Sequence, residues 1–193
     1  MATVLLPLAE GFEDLEAVAV IDILRRAGIG VTVAGLGDGP VRGSRETTVV
    51  PDARLGDVMG REFDRLVLPG GMPGVKHLRE DARIKTLLER YRDKRTAAIC
   101  AAPSILAAYG MLDGKRVTSN PKFREQVAVG GVDYREDDVV VDGSLVTSRG
   151  AGTAIPFALA LVEMLAGRAK RDEVEAGLVM ARGQNEPRKA AHG

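Results

Sequence analysis

Short apolar runs alternate with longer stretches of helical periodicity along most of this chain. A short apolar run between turn signals is typical of a buried strand, and apolar residues three or four apart are typical of an amphipathic helix. Strands are predicted at residues 4–8, 30–36, 65–68, 96–99 and 116–119. Helices are predicted at residues 14–26, 82–93, 101–112, 153–166 and 172–180. The repeated alternation indicates an α/β fold in which a mostly parallel sheet carries helices on both faces.

Two segments depart from this alternation and predict small antiparallel hairpins. Residues 40–51 hold two short strand-like runs on either side of Gly43-Ser44. Residues 132–148 hold two β-branched runs on either side of Asp142-Gly143, and an Asp-Gly pair in that position is a strong hairpin signal. Residues 182–193 are polar and lack apolar periodicity, so they are predicted to be a disordered tail after a single domain spanning residues 1–181.

The composition narrows the class of protein. Of the 193 residues, 45% are hydrophobic, and Lys plus Arg balance Asp plus Glu at 27 each. This balance, an aromatic fraction of 4% and the absence of Trp argue against a nucleic-acid-binding patch. No apolar run approaches the roughly 20 residues of a membrane helix, and no signal peptide is apparent. A single cysteine forms no internal disulfide, which predicts a reducing, cytoplasmic location.

That cysteine, Cys100, lies between a predicted strand and a predicted helix that has Pro103 in its first turn. Ligands of open α/β sheets bind beyond the carboxyl ends of the strands. Helix N–H groups converge at such a joint and favour a thiolate, so Cys100 is a candidate nucleophile with a lowered pKa. The alternative, that Cys100 is a small buried residue of the core, stays open at this point.

Acidic residues open the first predicted helix. Glu13 and Asp14 have a structural explanation, since one can cap the helix and both favour its positive end. Glu16 is the only acid in an otherwise apolar run of seven residues. It is either desolvated, with a raised pKa and a proton near neutrality, or solvated on the outer face of the helix.

Glycine-rich turns follow two further strands. Gly70-Gly71 come after residues 65–68 and can present N–H groups to an oxyanion together with the N–H of Ala101, although a plain tight turn explains them equally. Ser148 and Arg149 begin a second glycine-rich turn, interpreted as a structural turn lining the site. That turn matches neither a P-loop nor a dinucleotide-binding motif.

The histidines argue against two other kinds of site. His77 is placed on a surface turn of helix and His192 in the polar tail, so neither is a good partner for a Cys–His dyad. One cysteine and two distant histidines have no metal-ligand spacing. No metal and no cofactor is therefore expected.

Five stretches together resemble the ThiJ/PfpI (DJ-one) superfamily, and most closely its YajL branch. The stretches are residues 10–18 (EGFEDLEAV), 25–29 (RRAGI), 67–71 (VLPGG), 97–103 (AAICAAP) and 147–153 (TSRGAGT). The resemblance covers about residues 3–180. It implies a flavodoxin-like α/β sandwich that forms a homodimer.

The resemblance also implies roles for individual residues. It implies that Cys100 is a reactive cysteine on a strained turn, that Glu16 is a protonated acid beside it, and that Gly71 and Ala101 are backbone donors around it. Arg26 and Arg45 match arginines near the pocket at the dimer interface. Family activities include conversion of methylglyoxal or glyoxal to hydroxy acids, repair of protein and nucleotide adducts of these aldehydes, redox-dependent chaperoning and a response to oxidative stress.

Two positions depart from relatives in this superfamily. Peptidase relatives have a histidine directly after the cysteine, where this chain has Ala101, so peptidase activity is not expected. Another relative has a histidine where this chain has Asn120, and an Asn side chain carries no proton near neutral pH. Glu16 is left as the acid or base of the site.

Three functions follow from these observations. The first is a cofactor-free enzyme of the glyoxalase III or deglycase type, acting through Cys100 and Glu16 on small dicarbonyls or their adducts. The second is a redox-sensing protein or chaperone with little turnover, in which Cys100 is oxidised to a sulfinate. The third is an α/β domain whose cysteine only fills the core.

Overall fold

The computed structural model describes residues 1–92 and 95–180, and the elements below refer to these residues. The strands are β1 (Thr3–Leu8), β2 (Gly30–Gly35), β3 (Val41–Arg42), β4 (Thr48–Val49), β5 (Ala53–Arg54), β6 (Arg65–Leu68), β7 (Thr96–Ile99), β8 (Arg116–Val117), β9 (Asp133–Tyr134), β10 (Val139–Asp142) and β11 (Leu145–Ser148). The helices are α1 (Asp14–Arg26), α2 (Leu55–Val58), α3 (Gly74–Glu80), α4 (Ala82–Tyr91), α5 (Pro103–Ala108), α6 (Arg124–Val127), α7 (Ala154–Ala166) and α8 (Arg168–Leu178).

Seven of the strands found in residues 1–92 and 95–180 form one central sheet in the order β10-β11-β7-β6-β1-β2-β5. Every neighbouring pair is parallel except β10 and β11, which form an antiparallel hairpin at the edge. The other predicted hairpin, at residues 40–51, pairs β3 with β4 outside this sheet. The predicted α/β sandwich with small antiparallel additions is confirmed.

The sheet separates two apolar layers because alternate side chains of a strand point to opposite faces. Val4, Leu6 and Leu8 of β1 pack on one face with α1, α7 and α8. Leu5 points to the other face, where Leu66 and Leu68 pack with the side chains of α2 to α6. Both faces of the central strands are therefore covered, as near-continuous apolar strands require.

Most predicted elements are confirmed, and the differences have local causes. α1 has the predicted bounds. α5 is shorter than predicted, since Ala101 and Ala102 form a turn before Pro103 and the chain leaves the helix at Gly110. α8 starts at Arg168, directly after Gly167, rather than at residue 172. α4 ends at Tyr91, and the predicted residue 93 lies outside the described residues.

One predicted strand is wrong in its place and in its length. β8 covers only Arg116–Val117 and pairs with β9 in a separate small sheet rather than with the central strands. The chain bends after Val117 because the next residues run toward the end of β7, where the Asn120 N–H donates to the Cys100 carbonyl at 2.9 Å. The predicted tail at residues 182–193 lies outside the described residues.

The carboxyl ends of the parallel strands lie together at one end of the sheet, where a site can form. β6 and β7 are adjacent, and Gly70 and Cys100 follow their carboxyl ends. β11 is the other neighbour of β7 and ends at Ser148. Residues far apart in sequence are thus brought to one edge. In the described part of the chain, no helix has both the length and the apolar character needed to cross a bilayer.

Candidate active site

Cys100 lies in a strained backbone conformation that the surrounding chain holds in place. Its φ of 63° is in the left-handed region, which side chains other than glycine adopt at a cost of roughly 1–3 kcal/mol. The Cys100 N–H donates to the Ser148 carbonyl at 2.9 Å, and its carbonyl accepts from the Asn120 N–H at 2.9 Å. Two neighbouring segments therefore impose the turn that presents the sulfur.

Glu16 approaches the same place from the first turn of α1. Its side chain is fully buried, so the solvated alternative is excluded. Oε2 accepts a hydrogen bond of 2.9 Å from the Gly70 N–H. Oε1 has no hydrogen-bond partner within the described residues, although it is buried. A proton on this oxygen, or a polar group of a bound molecule, would satisfy it.

Gly70 separates Glu16 from Cys100, and only glycine fits there. A Cβ on Gly70 would lie 2.6 Å from Glu16 Oε2 and 2.7 Å from Cys100 Cβ. Gly71 has a φ of 95°, and a Cβ there would lie 2.2 Å from the Glu13 nitrogen. The two glycines thus have separate reasons to be glycine: Gly70 allows close approach, and Gly71 allows a left-handed turn.

Of the two expected backbone donors, Ala101 contacts the sulfur. Within the described residues, the Gly71 N–H has no acceptor. The Ala101 N–H interacts with the Cys100 sulfur and lowers the pKa of that thiol. Gly71 and Ala101 follow the adjacent strands β6 and β7, and their joint role as donors to an oxyanion stays a prediction.

Glu16 and Cys100 shift each other's protonation. Burial, opposed by hydrogen bonds from Cys100 and Gly70, raises the pKa of Glu16 to about 7. Burial first, and the Glu16 carboxylate second, raise the pKa of Cys100 to about 12. The expectation of a lowered cysteine pKa at the strand-to-helix joint is therefore wrong for Cys100 beside an ionised Glu16.

The two groups are better described as one acid. The pair loses its first proton near pH 7, and a second loss would place two negative charges side by side in a buried site. Near neutral pH the pair therefore holds one proton and one negative charge. The sulfur is nucleophilic in the arrangement that has the proton on Glu16 and the charge on Cys100.

Asn120 also borders the sulfur. Its Nδ2 donates to Cys100 Sγ at 3.7 Å, and its Oδ1 accepts from the Lys122 N–H at 3.1 Å. The amide is thereby oriented with its donor toward the sulfur. This hydrogen bond lowers the pKa of Cys100, partly offsetting the effect of burial.

The turn after β11 closes the site, mainly through its backbone. The buried Ser148 hydroxyl donates to the Asp138 carbonyl at 2.7 Å and contacts the Thr153 hydroxyl at 2.7 Å. The Arg149 guanidinium donates to the Glu136 carbonyl at 3.1 Å. Ser148 is a supporting residue rather than a group that contacts the sulfur.

Gly150 is a site residue that the sequence analysis did not single out. A Cβ on Gly150 would lie 3.8 Å from Cys100 Sγ and 3.5 Å from Asn120 Nδ2. The only signal was its place in a glycine-rich turn after a strand. That signal marked the turn as a whole without showing which member faces the sulfur.

The two arginines proposed for the pocket lie elsewhere within one chain. Arg26 ends α1 and pairs with Asp22 at 2.7 Å, roughly 15 Å along the helix from Glu16. The Arg45 side chain is exposed on the loop between β3 and β4. The structure of the single chain therefore does not bring either arginine to Cys100, and their role at a dimer interface stays a prediction.

The acids at the start of α1 hold that loop instead of capping the helix. Asp14 is buried and accepts the N–H groups of Arg45 and Thr47, each at 2.8 Å. Although burial raises the pKa of Asp14, these hydrogen bonds leave it below its usual range. Glu13 makes no side-chain cap and accepts from the Ser44 hydroxyl at 3.1 Å. The predicted capping role is wrong.

The histidine and metal alternatives gain no support from the geometry. The His77 ring lies 3.1 Å from the Glu10 carbonyl on the surface, and it makes no contact with Cys100. His192 lies outside the described residues. Among residues 1–92 and 95–180, no three acidic, histidine or cysteine side chains are grouped closely enough to hold a metal ion.

Comparison with known proteins agrees with this geometry. Residues 2–164 match the model of the DJ-1/PfpI family. The chain is 46% identical to Protein dj-1beta of Drosophila melanogaster, over 90% of this chain and 95% of that protein. It is 37% identical to the "Glutathione-independent glyoxalase DJR-1.2" of Caenorhabditis elegans, over 94% and 97% of the two chains.

Solved structures show the same fold. The crystal structure of Drosophila DJ-1beta matches with a TM-score of 0.89 and 44% identity, over 94% of this chain and 99% of that chain. The structure described as "Toxoplasma gondii DJ-1, oxidized" has a TM-score of 0.89 and 36% identity, over 94% and 100%. The fold is flavodoxin-like, and the carboxyl end of its parallel strands brings together one cysteine and one buried acid. The chain belongs to the DJ-1/PfpI family.

Proposed function

We propose that this protein is a cofactor-free glyoxalase that converts methylglyoxal or glyoxal to the corresponding hydroxy acid through Cys100 and Glu16. The observation that carries the proposal is the raised pKa of Glu16, about 7, directly beside the cysteine. An acid–base group works best when its pKa lies near the working pH. The glyoxalase named among the relatives supports the same chemistry.

The reaction can be balanced with these two side chains and water. The Cys100 thiolate adds to the aldehyde carbon, and the resulting oxyanion takes a proton from Glu16 to give a hemithioacetal. The Glu16 carboxylate then removes the proton from that carbon to give an enediolate. The hydroxyl proton on the former aldehyde oxygen passes to the neighbouring oxygen while Glu16 returns its proton to the neighbouring carbon, which leaves a thioester of the hydroxy acid. Water hydrolyses the thioester and restores the thiol. The net change is addition of one water, without oxidant or reductant.

The donors near the site have proposed roles in this reaction. The Gly71 N–H, which has no acceptor in the described part of the chain, is available to the oxygen of the adduct. The Ala101 N–H and the Asn120 amide both favour charge on the sulfur when it acts as nucleophile or leaving group. Preorganised donors of this kind each contribute roughly 2.7–4 kcal/mol to acyl-transfer rates.

The test is lactate formation from methylglyoxal by purified protein in buffer without added thiol. Cys100→Ser and Glu16→Gln are each expected to lower kcat/KM by about 10²–10⁴-fold. Asp22→Asn is the matched control, because it makes the same acid-to-amide change at an exposed position of α1. Full activity in Cys100→Ser, or lactate only after thiol is added, would contradict the proposal.

Adducts of these aldehydes with protein or nucleotide amines are the proposed wider substrate class. When the amine leaves such an adduct, its hemiaminal carbon becomes the same aldehyde carbon that Cys100 attacks. Peptide hydrolysis is not proposed, since Ala101 follows the cysteine and no histidine of the described residues contacts it. Release of free amine from a preformed adduct is measured with an excess of a reagent that traps free aldehyde. This measurement separates repair of the adduct from removal of free aldehyde.

Redox sensing is a second proposed function. It is favoured by the Ala101 N–H and the Asn120 amide, which lie beside a half-buried sulfur. Two equivalents of peroxide would carry the thiolate to a sulfenate and then a sulfinate, each with loss of one water. The oxidised state named for the Toxoplasma gondii relative supports this second function. Mass spectrometry after mild peroxide is expected to find two added oxygens on Cys100 before any on the exposed Met72.

A homodimer in the cytoplasm completes the proposal. Leu15 and Val18 of α1 are 54% and 43% exposed, on either side of the buried Glu16. A second copy covering these side chains would also bring the exposed Arg45 loop near a site. Light scattering on the purified protein tests the assembly, and Leu15→Asp is expected to shift it toward monomer.

A further inference from the structure

Arg65 carries a buried positive charge at the amino-terminal end of the parallel strands, whereas Cys100 lies beyond their carboxyl ends. It begins β6, and only 3% of the residue is exposed. The four residues of β7 separate these two ends of the sheet by about 13 Å along the strand direction. The proposed glyoxalase chemistry therefore has no use for this guanidinium.

No carboxylate of the described residues pairs with Arg65. Its Nη1 donates to the Ser144 carbonyl at 2.8 Å and to the Thr96 carbonyl at 3.4 Å. Its Nε is buried without a hydrogen-bond partner. Carbonyl groups satisfy donors but do not neutralise a charge, so the guanidinium lacks the counter-charge that buried arginines require.

A neighbouring cation, Arg95, adds to the cost of this unpaired charge. Burial, with a smaller effect from the charge of Arg95, lowers the pKa of Arg65 to about 10. Arg65 therefore remains cationic at neutral pH. Arg95 already has a partner, since its Nη1 lies 3.0 Å from Asp64 Oδ1. The other Asp64 oxygen accepts the Thr3 N–H at 2.9 Å.

A cavity of about 450 Å³ lies against these residues. Arg65, Arg95 and Asp64 form its polar wall, and Met164 and Leu165 of α7 contribute an apolar wall. Nη2 of Arg65 lies 3.9 Å from Met164 Sδ, at the junction of the two walls. Nη2 is thus the terminal guanidinium nitrogen not committed to carbonyls, and Arg65 lines a space whose surface is mainly polar with a smaller apolar part.

We propose that this cavity binds a small organic monocarboxylate, with the carboxylate on Arg65 and the short apolar tail against Met164 and Leu165. A carboxylate oxygen can accept from Nη2, and the carboxylate supplies the missing negative charge. The Asp64 carboxylate on the same wall disfavours a doubly charged phosphate. This site is independent of the chemistry proposed for Cys100.

The test uses sodium butyrate as the probe, with thermal unfolding as the first readout. Butyrate is expected to raise Tm saturably, by about 5 °C at a hundredfold excess over Kd, relative to sodium chloride of equal ionic strength. Butyramide, which has the same shape without the charge, is expected to have no such effect. Cys100→Ser is expected to keep the response, so loss of the proposed enzyme activity would not imply loss of this site.

Arg65→Met is the decisive variant, because it keeps a long apolar side chain while removing the charge. It is expected to abolish the butyrate response. Should this variant not fold, the side-chain N–H signal of Arg65 in ¹H–¹⁵N spectra of the unaltered protein gives the answer, since butyrate is expected to shift it saturably. An equal response to butyramide, tighter binding of inorganic phosphate, or an unmoved Arg65 signal would each overturn the proposal.

Discussion

Asn120 contacts Cys100 twice, once with its backbone and once with its side chain. The backbone N–H donates to the Cys100 carbonyl at 2.9 Å, and Nδ2 donates to the sulfur at 3.7 Å. The first contact shapes the turn, and the second stabilises negative charge on sulfur. Because only the second depends on the side chain, the two effects can be separated by mutation.

Asn120→Ala is therefore expected to lower kcat/KM for methylglyoxal by about tenfold, the effect of losing one hydrogen bond to a charged group. The pKa of the thiol is expected to rise, as followed by the pH dependence of alkylation. Stability is expected to fall only by about 1 kcal/mol, because the Lys122 N–H loses its acceptor. Lys122→Ala is the control, and an unchanged kcat/KM in Asn120→Ala would contradict the role given to the amide.

Gly70→Ala tests whether the close approach of Glu16 and Cys100 matters. The added methyl group would lie 2.6 Å from Glu16 Oε2 and 2.7 Å from Cys100 Cβ, so one of the two side chains has to move. We expect loss of activity of at least about tenfold and a stability loss of about 1–3 kcal/mol from overpacking. Gly177→Ala is the control, since no atom lies within 4 Å of its new methyl group. Equal activity of the two variants would contradict the prediction.

The pH dependence of stability reports the burial of Glu16. The pKa of Glu16 rises from 4.5 to about 7 on folding, so the folded state holds the proton more tightly. This stabilisation is fully present below about pH 4.5 and is lost as the pH rises through about 7. It amounts to about 3 kcal/mol.

Denaturant unfolding at pH 4.5 and pH 8 measures this change. The difference in unfolding free energy between the unaltered protein and Glu16→Gln is expected to shift by about 3 kcal/mol in favour of the variant at the higher pH. Asp22→Asn is expected to follow the unaltered protein. A difference that stays constant with pH would mean that Glu16 is charged throughout this range.

The pH dependence of the rate reports the Glu16–Cys100 pair. The pair gains its single negative charge near pH 7 and keeps its remaining proton up to about pH 12. We therefore expect kcat/KM to rise about tenfold per pH unit below 7 and to level off above it. A profile that instead rises around pH 8.5, the pKa of a free thiol, would mean that Cys100 titrates alone.

The sequence predicted the fold best where its local signals agreed. α1 has the predicted bounds because acids precede its apolar stripe and Arg25-Arg26 come before Gly28 at its end. β8 was predicted too long because its apolar character continues to residues that the tertiary structure uses to reach Cys100. β5 and α2 were missed because segments of two and four residues are too short to show periodicity.

The candidate site was predictable in membership but not in electrostatics. Cys100, Glu16 and Gly70 follow from their places beside strand ends and from the family resemblance. The raised pKa of Cys100 could not be predicted, since it depends first on the burial of the sulfur and second on the carboxylate that folding places next to it. Arg65 gave no signal at all, because its burial depends on the packing of α7 across the start of β6.

The turn at Cys100 is held only through backbone atoms, by Ser148 on one side and Asn120 on the other. Neither hydrogen bond involves the sulfur, so adding a substrate, an oxygen or a label to that atom leaves both intact. The main chain at Cys100 is therefore expected to keep its conformation when the sulfur is alkylated or oxidised. Cys100 is therefore a suitable position for attaching a spectroscopic probe, because a label on the sulfur leaves the backbone hydrogen bonds of the turn in place.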